Sequence, residues 1–245
     1  MRTTTGIAMV MTVGLTVAAC GGARQQGELV ADPYESLNRG IHSANKGLDQ
    51  AVLRPAAQGY DLVTPSLFQH IFGNVFSHLS LPGVFVNHLL QGDGEDALVT
   101  IGRFAVNTVV GAGGTLDPAT EFSLPRENTD FGITLATWGV DEGAYLELPL
   151  FGPSTTRDAV GTLVDMAFQP TTYVTGGVEV TIASATVSAV EIVHNRNRNA
   201  ALIDDLLYNS EDSYVSLRTG YIQNRRRRVS DGETDLDELP DLFSE

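Results

Sequence analysis

Apolar residues along most of this chain recur every three or four positions, the spacing of one face of an α-helix. Asp32-Pro33 opens the first such segment, because an acid caps free amides and proline suits the first helical position. Leu37, Ile41, Ala44, Leu48 and Val52 follow at helical intervals until Pro55 ends or kinks the element. A second helix is predicted from Pro65, where Leu67, Phe68, Ile71, Phe72, Val75, Phe76 and Leu79 cover far more than one stripe. Such a wide apolar face belongs either to a fully buried central helix or to one that meets lipid. Pro82 starts a separate short apolar segment, Val84 to Leu90, closed by QGDGED. Helical spacing returns from Glu95 to Val110 through Leu98, Ile101, Phe104, Ala105 and Val109.

Thr115 to Asp130 has no period and contains two prolines, which predicts a long loop or hairpin. Phe131 to Val140 reads as a short helix, GAYLELPLFGPS as an extended apolar loop, and Thr156 to Phe168 as a further helix. After Pro170 a Val/Thr/Ala-rich region runs to Val193, and its β-branched content leaves helix and strand open. Helix is favoured, because Ile182, Val187, Val190 and Val193 lead on into Ala200-Ala201-Leu202. The last helix, about Ser210 to Arg228, carries Tyr214, Leu217 and Tyr221 on one side. The predicted fold class is all-α, and residues 32–228 form the folded body.

The two ends follow other rules. Arg2 precedes a charge-free stretch from Gly6 to Ala19, too short to span a bilayer, so residues 1–19 read as a signal peptide. The stretch ends in Val17-Ala18-Ala19-Cys20, the form of a lipobox, and Cys20 is the sole cysteine. The expectation is a mature chain starting at Cys20 with diacylglycerol on its sulfur and an acyl chain on its amine. No other cofactor is expected. Gly21 rather than Asp at the next position favours the outer membrane of a Gram-negative bacterium. Residues 20–31 then form the acylated cysteine and a linker.

Formal net charge is −15, and seven acids without a base lie between Val229 and Glu245. Residues 229–245 therefore read as a solvated acidic tail, and the mildly acidic body that remains is a poor match for nucleic acid. Four arginines, Arg225 to Arg228, make the one strong basic cluster. They read either as a solvated helix end or as a contact for anionic head groups.

Chemistry is sparse. There is no G-x-S-x-G nucleophile elbow. Ser154 and Asp158 lie close in sequence, but no histidine adjoins them. The histidines His42, His70, His78, His88 and His194 form neither H-x-x-x-H nor H-E-x-x-H, so no metal is expected, and they read as packing residues. The glycines of RFAVNTVVGAGGTLDPA, namely Gly111, Gly113 and Gly114, fail both nucleotide motifs and follow a helix rather than a strand. They read as a helix terminus.

Several stretches, taken in order, resemble the MlaA/VacJ family of outer-membrane phospholipid-transport lipoproteins. These are DPYESLNRGIHSANKGLDQAVLRPAAQGYDLVTP, LSLPGVFVNHLLQGDGEDA, GRFAVNTVVGAGGTLDPA, TDFGITLATWGVDEGAYLELPLFGPSTTRDAVGTLVD and SEDSYVSLRTGYIQNRRRR. The resemblance covers about 32–228. It implies a ring or disc of amphipathic helices in the inner leaflet of the outer membrane, on the periplasmic face. It implies no enzyme, but a conduit that takes mislocalised phospholipid from the outer leaflet to a soluble periplasmic carrier, beside a trimeric porin. An alternative, a porin-associated structural lipoprotein that moves no lipid, stays open; a lipid hydrolase is disfavoured.

Carried over by position, the resemblance places Asn38, Arg39 and Asn45 near the ridge that controls lipid entry, and Arg157 and Asp158 on the channel. The bland alternatives are backbone satisfaction for the first group and helix capping for the second. Thr115 to Asp130 corresponds to the gating loop, which makes Gly111, Gly113, Gly114, Asp117 and Phe122 candidate hinge and gate residues. Ala44 departs from the aromatic residue common at that place in the family, so gating detail does not transfer with it.

Overall fold

In the computed structural model, residues 29–168 and 178–230 are described, and the side chains of 178–184 are not. The signal peptide, Cys20, most of the linker and the tail beyond 230 lie outside the described residues. So do residues 169–177, the first part of the region left open between helix and strand.

Helix α1, Glu35–Leu48, does not stop at Pro55. It runs through a π-helical turn, Asp49–Leu53, into α2, Arg54–Val63. The physical reason lies in the missing amide of Pro55. The preceding amide, Arg54, reaches back five residues to the Asp49 carbonyl, and this widened turn absorbs the proline without ending the rod. Pro82 is absorbed too: the expected helix and the separate apolar segment are one helix, α3, Ser66–Gln91, of 26 residues. A proline there costs about 3 kcal/mol in the abstract. Leu81, Val84 and His88 stand on one buried face across it, so packing offsets the lost backbone bond.

A tight link joins α3 to α4, Gly94–Val109, and the two pack as a hairpin of helices. The expected loop that follows contains a single helical turn, α5, Pro118–Glu121. Next come α6, Phe131–Thr137, and a β-hairpin where an extended loop is predicted. Strand β1, Tyr145–Leu148, pairs antiparallel with β2, Gly152–Thr155, in the register Tyr145 to Thr155 and Leu148 to Gly152. Helix α7, Thr156–Phe168, and α8, Val178–Arg198, follow. Then come α9, Ala200–Asp204, a second π-turn, Asp205–Asn209, and α10, Ser213–Val229. The fold is all-α apart from that one hairpin among the described residues.

Burial runs against the usual order of a globular domain. Among the described residues, twelve buried ones are hydrophobic and eighteen are polar or charged. One small apolar cluster joins Val30, Tyr145, Tyr214 and Ile222. Meanwhile 25 large apolar side chains are exposed, among them Leu62, Val63, Leu98, Val109, Leu150 and Leu163. No helix among the described residues is long and apolar enough to cross a membrane.

Candidate functional site

On α1, Asn38 and Asn45 stand two turns apart and both meet the β-hairpin. Asn38 is buried; its amide donates to the Tyr145 carbonyl at 3.1 Å and its oxygen accepts from the Glu147 amide at 3.0 Å. Asn45 repeats the pattern one step along, donating to the Leu148 carbonyl and accepting from the Leu150 amide, both at 2.9 Å. Arg39 points elsewhere, to Glu35 at 2.7 Å and Asp212 at 2.9 Å, with its guanidinium over the Tyr214 ring. The first three candidates thus sit together, fixing α1 to the hairpin and to the start of α10.

Arg157 and Asp158 open α7, yet neither caps it; Thr155 does, its hydroxyl accepting from the Asp158 amide at 3.2 Å. Asp158 accepts from Arg225 at 2.8 Å and from the Tyr221 hydroxyl at 2.7 Å. Arg225 in turn forks onto Asp130, both bonds at 2.6 Å, while Asp130 caps α6 through the Ile133 amide. Burial pushes the Asp130 carboxyl up, but Arg225 outweighs it and the net shift is downward. This cluster is possible because α6 and α7 touch backbone to backbone at Gly132 and Gly161, where a Cβ on Gly161 would lie 2.5 Å from the Gly132 nitrogen. Arg157 differs from its neighbour. It borders a cleft of about 580 Å³ with Ala31, Val140, Asp141, Glu142 and Arg226. Both groups of lipid-path candidates converge on α10, through Asp212 and Tyr214 for one and Tyr221 and Arg225 for the other.

The glycine run does end α4, and the backbone there turns left-handed at Ala112, Gly113 and Gly114, with φ of 52°, 71° and 87°. Gly114 packs against the His78 ring so closely that any Cβ would overlap it. Beyond the glycines, Asp117 gathers the loop. It accepts from Arg103 at 2.7 Å, Arg126 at 2.8 Å, Asn107 at 2.8 Å and Thr120 at 2.7 Å. Arg103, almost wholly buried, also holds the Leu124 carbonyl. Burial raises the Asp117 carboxyl, but the hydrogen bonds of Thr120 and Asn107 and the Arg103 charge together hold it down at about 2. Phe122 projects from this loop and is 62% exposed.

Sequence reading singled out Asp117 and Asp158 without their partners. Arg225 was grouped with the basic run, yet helical rotation separates the four arginines: Arg225 is buried, Arg226 pairs with Glu142 at 2.5 Å and Arg228 with Asp130 at 3.1 Å. The run is therefore neither a wholly solvated end nor a single basic patch. A second buried pair, Arg196 and Asp49 at 2.7 Å, also went unread; it joins the π-turn after α1 to α8.

Residues 30–228 match the model of the MlaA lipoprotein family. The chain belongs to that family. A Rickettsia felis protein without an assigned role is 34% identical over 85% of this chain and 82% of its own length. The Haemophilus influenzae intermembrane phospholipid transport system lipoprotein MlaA is 32% identical over 96% of this chain and 94% of its own length. Among solved structures, one described as the structural basis for maintenance of bacterial outer membrane lipid asymmetry superposes with a TM-score of 0.70. It is 32% identical and covers 81% of this chain and 99% of that one.

As a member of the MlaA lipoprotein family, the chain has a use for its exposed apolar side chains, since in water so many would form an aggregation-prone surface. Two apolar features stand out on the surface. One is the outer face of α2 and the start of α3, with Leu62, Val63, Leu67 and Phe68. The other apolar feature is a groove of about 470 Å³ between α2 and α8, lined by the half-buried Tyr60, Val190 and Val193 with Ala185 and Ala189.

Proposed function

We propose that this protein moves phospholipid between membranes and so maintains the lipid asymmetry of the outer membrane. In this reading it takes mislocalised phospholipid from the outer leaflet and passes it to a soluble periplasmic carrier. It lies on the periplasmic side beside a trimeric porin, anchored by diacylglycerol and an N-acyl chain on Cys20. No bond is broken. The observation that carries the reading is the inverted burial: eighteen polar against twelve apolar residues inside, and 25 large apolar ones outside. Such a body is stable where part of its surface meets acyl chains, and its described helices, none long and apolar enough to cross a membrane, suit one leaflet. Arg157, at the mouth of the cleft, is the candidate for the phosphate of a passing lipid. The loop 111–130 is the candidate gate.

A clean deletion is expected to raise outer-leaflet phospholipid and sensitise cells to detergent with EDTA, and the mature protein is expected to co-purify with lipid detectable by mass spectrometry. Unchanged outer-leaflet lipid in the deletion would sink the proposal. Purified protein that binds porin but carries no lipid, and fails to load a periplasmic carrier, would point to the structural alternative.

A further inference from the structure

We propose that the turn between α3 and α4 is a binding site for a divalent transition-metal ion of the zinc class, held by His88, Asp93 and Asp96. The chain reverses there within a few residues. The Asp93 amide bonds the His88 carbonyl at 2.9 Å, the Gly92 amide the Leu89 carbonyl at 3.2 Å, and Gly92 takes a φ of 81°. This closes the end of α3 and brings its last turn against the first turn of α4. Asp93 then caps α4 through the Asp96 amide at 3.2 Å. A ligand atom of His88, one of Asp93 and one of Asp96 all lie within 4.8 Å of one another.

Two acids and a histidine near a turn would mean little alone. His88 supplies the second observation. It is 4% exposed, and neither of its ring nitrogens has a hydrogen-bonding partner. A neutral imidazole carries one N–H and one lone pair, and leaving either buried and unmet costs about 1–3 kcal/mol. The two carboxylates beside it stand close enough to repel one another. A cation gives the imidazole lone pair a partner and the paired acids a counter-charge. Metal bonds of about 2.0–2.2 Å bring ligand atoms closer than they stand here, so the carboxylates must swing in by roughly 1 Å. Both belong to a solvent-facing turn, where that rotation is open to them. One imidazole with two carboxylates suits zinc and its neighbours; calcium and magnesium favour oxygen alone. Motif searching passes over the site because His88, Asp93 and Asp96 span a helix end, where H-x-x-x-H and H-E-x-x-H demand one helical face.

The test uses the mature lipidated protein in detergent, stripped of metal and titrated with Zn²⁺ by calorimetry and with Co²⁺ for its visible bands. One equivalent of Zn²⁺ is expected to bind. His88→Gln, Asp93→Asn and Asp96→Asn should each weaken it by about tenfold or more, and His88→Gln should abolish the Co²⁺ bands. Asn caps a helix as well as Asp does, so Asp93→Asn keeps the turn folded and isolates the loss of the carboxylate. Absence of stoichiometric binding overturns the proposal. So does binding that survives His88→Gln and Asp93→Asn at full strength, which marks adventitious attachment to surface acids.

Discussion

Two polar clusters in this molecule are built from the same parts and do different work. Around Arg225, the partners Asp130 and Asp158 lie 95 and 67 residues away in sequence. Around Asp117, Arg103 and Arg126 lie only 14 and 9 residues away. The first cluster ties the C-terminal helix α10 to α6 and α7. The second folds one loop onto the end of the helix that precedes it. Distance along the chain, rather than the strength of any one ion pair, decides whether breaking a cluster unlocks the domain or only a segment of it. A gate needs the second kind of lock, because it must open while the body stays folded.

The sharpest way to break this contrast is Arg225→Met, which strips two largely buried carboxylates of the guanidinium they share. It should cost about 3–5 kcal/mol of global stability, read by thermal or urea unfolding in detergent followed by circular dichroism. Adding Asp130→Asn and Asp158→Asn to that variant should recover most of the loss; no recovery would mean that Arg225 acts by packing alone. Asp117→Asn comes next, at about 2–3 kcal/mol, since it strands the buried Arg103. Here the expected damage is local. A spin label at Phe122→Cys should become mobile while the global unfolding midpoint moves little, and a matching global shift would erase the distinction.

Acid offers a gentler version of the same experiment. The Asp117 carboxyl is held below its ordinary value, at about 2, so its stabilisation is present above pH of about 4 and disappears as pH falls towards 2. About 2 kcal/mol is at stake. The label at position 122 should loosen across that window in the wild type and show no such transition in Asp117→Asn. The smallest effect belongs to Gly113→Val, which meets open space but a left-handed φ, at about 1–2 kcal/mol. Gly114→Val should exceed it clearly, because it adds overlap with His78 to the same strain. If the loop is the gate, both variants should impair lipid retrieval and leave anchoring intact. Wild-type detergent resistance in both would reduce the glycines to a connector.

Much of this was legible in the chain as letters. Helical periodicity located α1, α4, α7 and α10 because each buries one side, and a buried side leaves its mark at every third or fourth residue. Pro55 and Pro82 misled for a shared reason: proline removes one backbone bond, and neither a widened turn nor packing from Leu81 and Val84 shows in the local sequence. The β-hairpin was missed because its alternation is inverted. Tyr145 and Glu147 are buried while Leu146 and Leu148 are only half covered, and Glu147 is tolerated inside because the Tyr145 hydroxyl donates to it at 2.5 Å. The clusters were harder still. Asp158 and Arg225 each look like ordinary helix-end residues, and nothing between them announces that they meet. Resemblance to a family singled out Asp117, Arg157 and Asp158 without saying what they touch.

The asparagines of α1 carry one more consequence. A carboxamide has the same donor and acceptor as a peptide group; Asn38 presents one to the open side of β1, at Tyr145 and Glu147, and Asn45 presents another to the turn of the hairpin, at Leu148 and Leu150. The helix thereby stands in for a missing neighbouring strand, and Ala31 completes the seal by accepting from the Tyr145 amide at 2.8 Å. On a crowded membrane surface an open strand edge invites a second chain to add itself. This one is already taken.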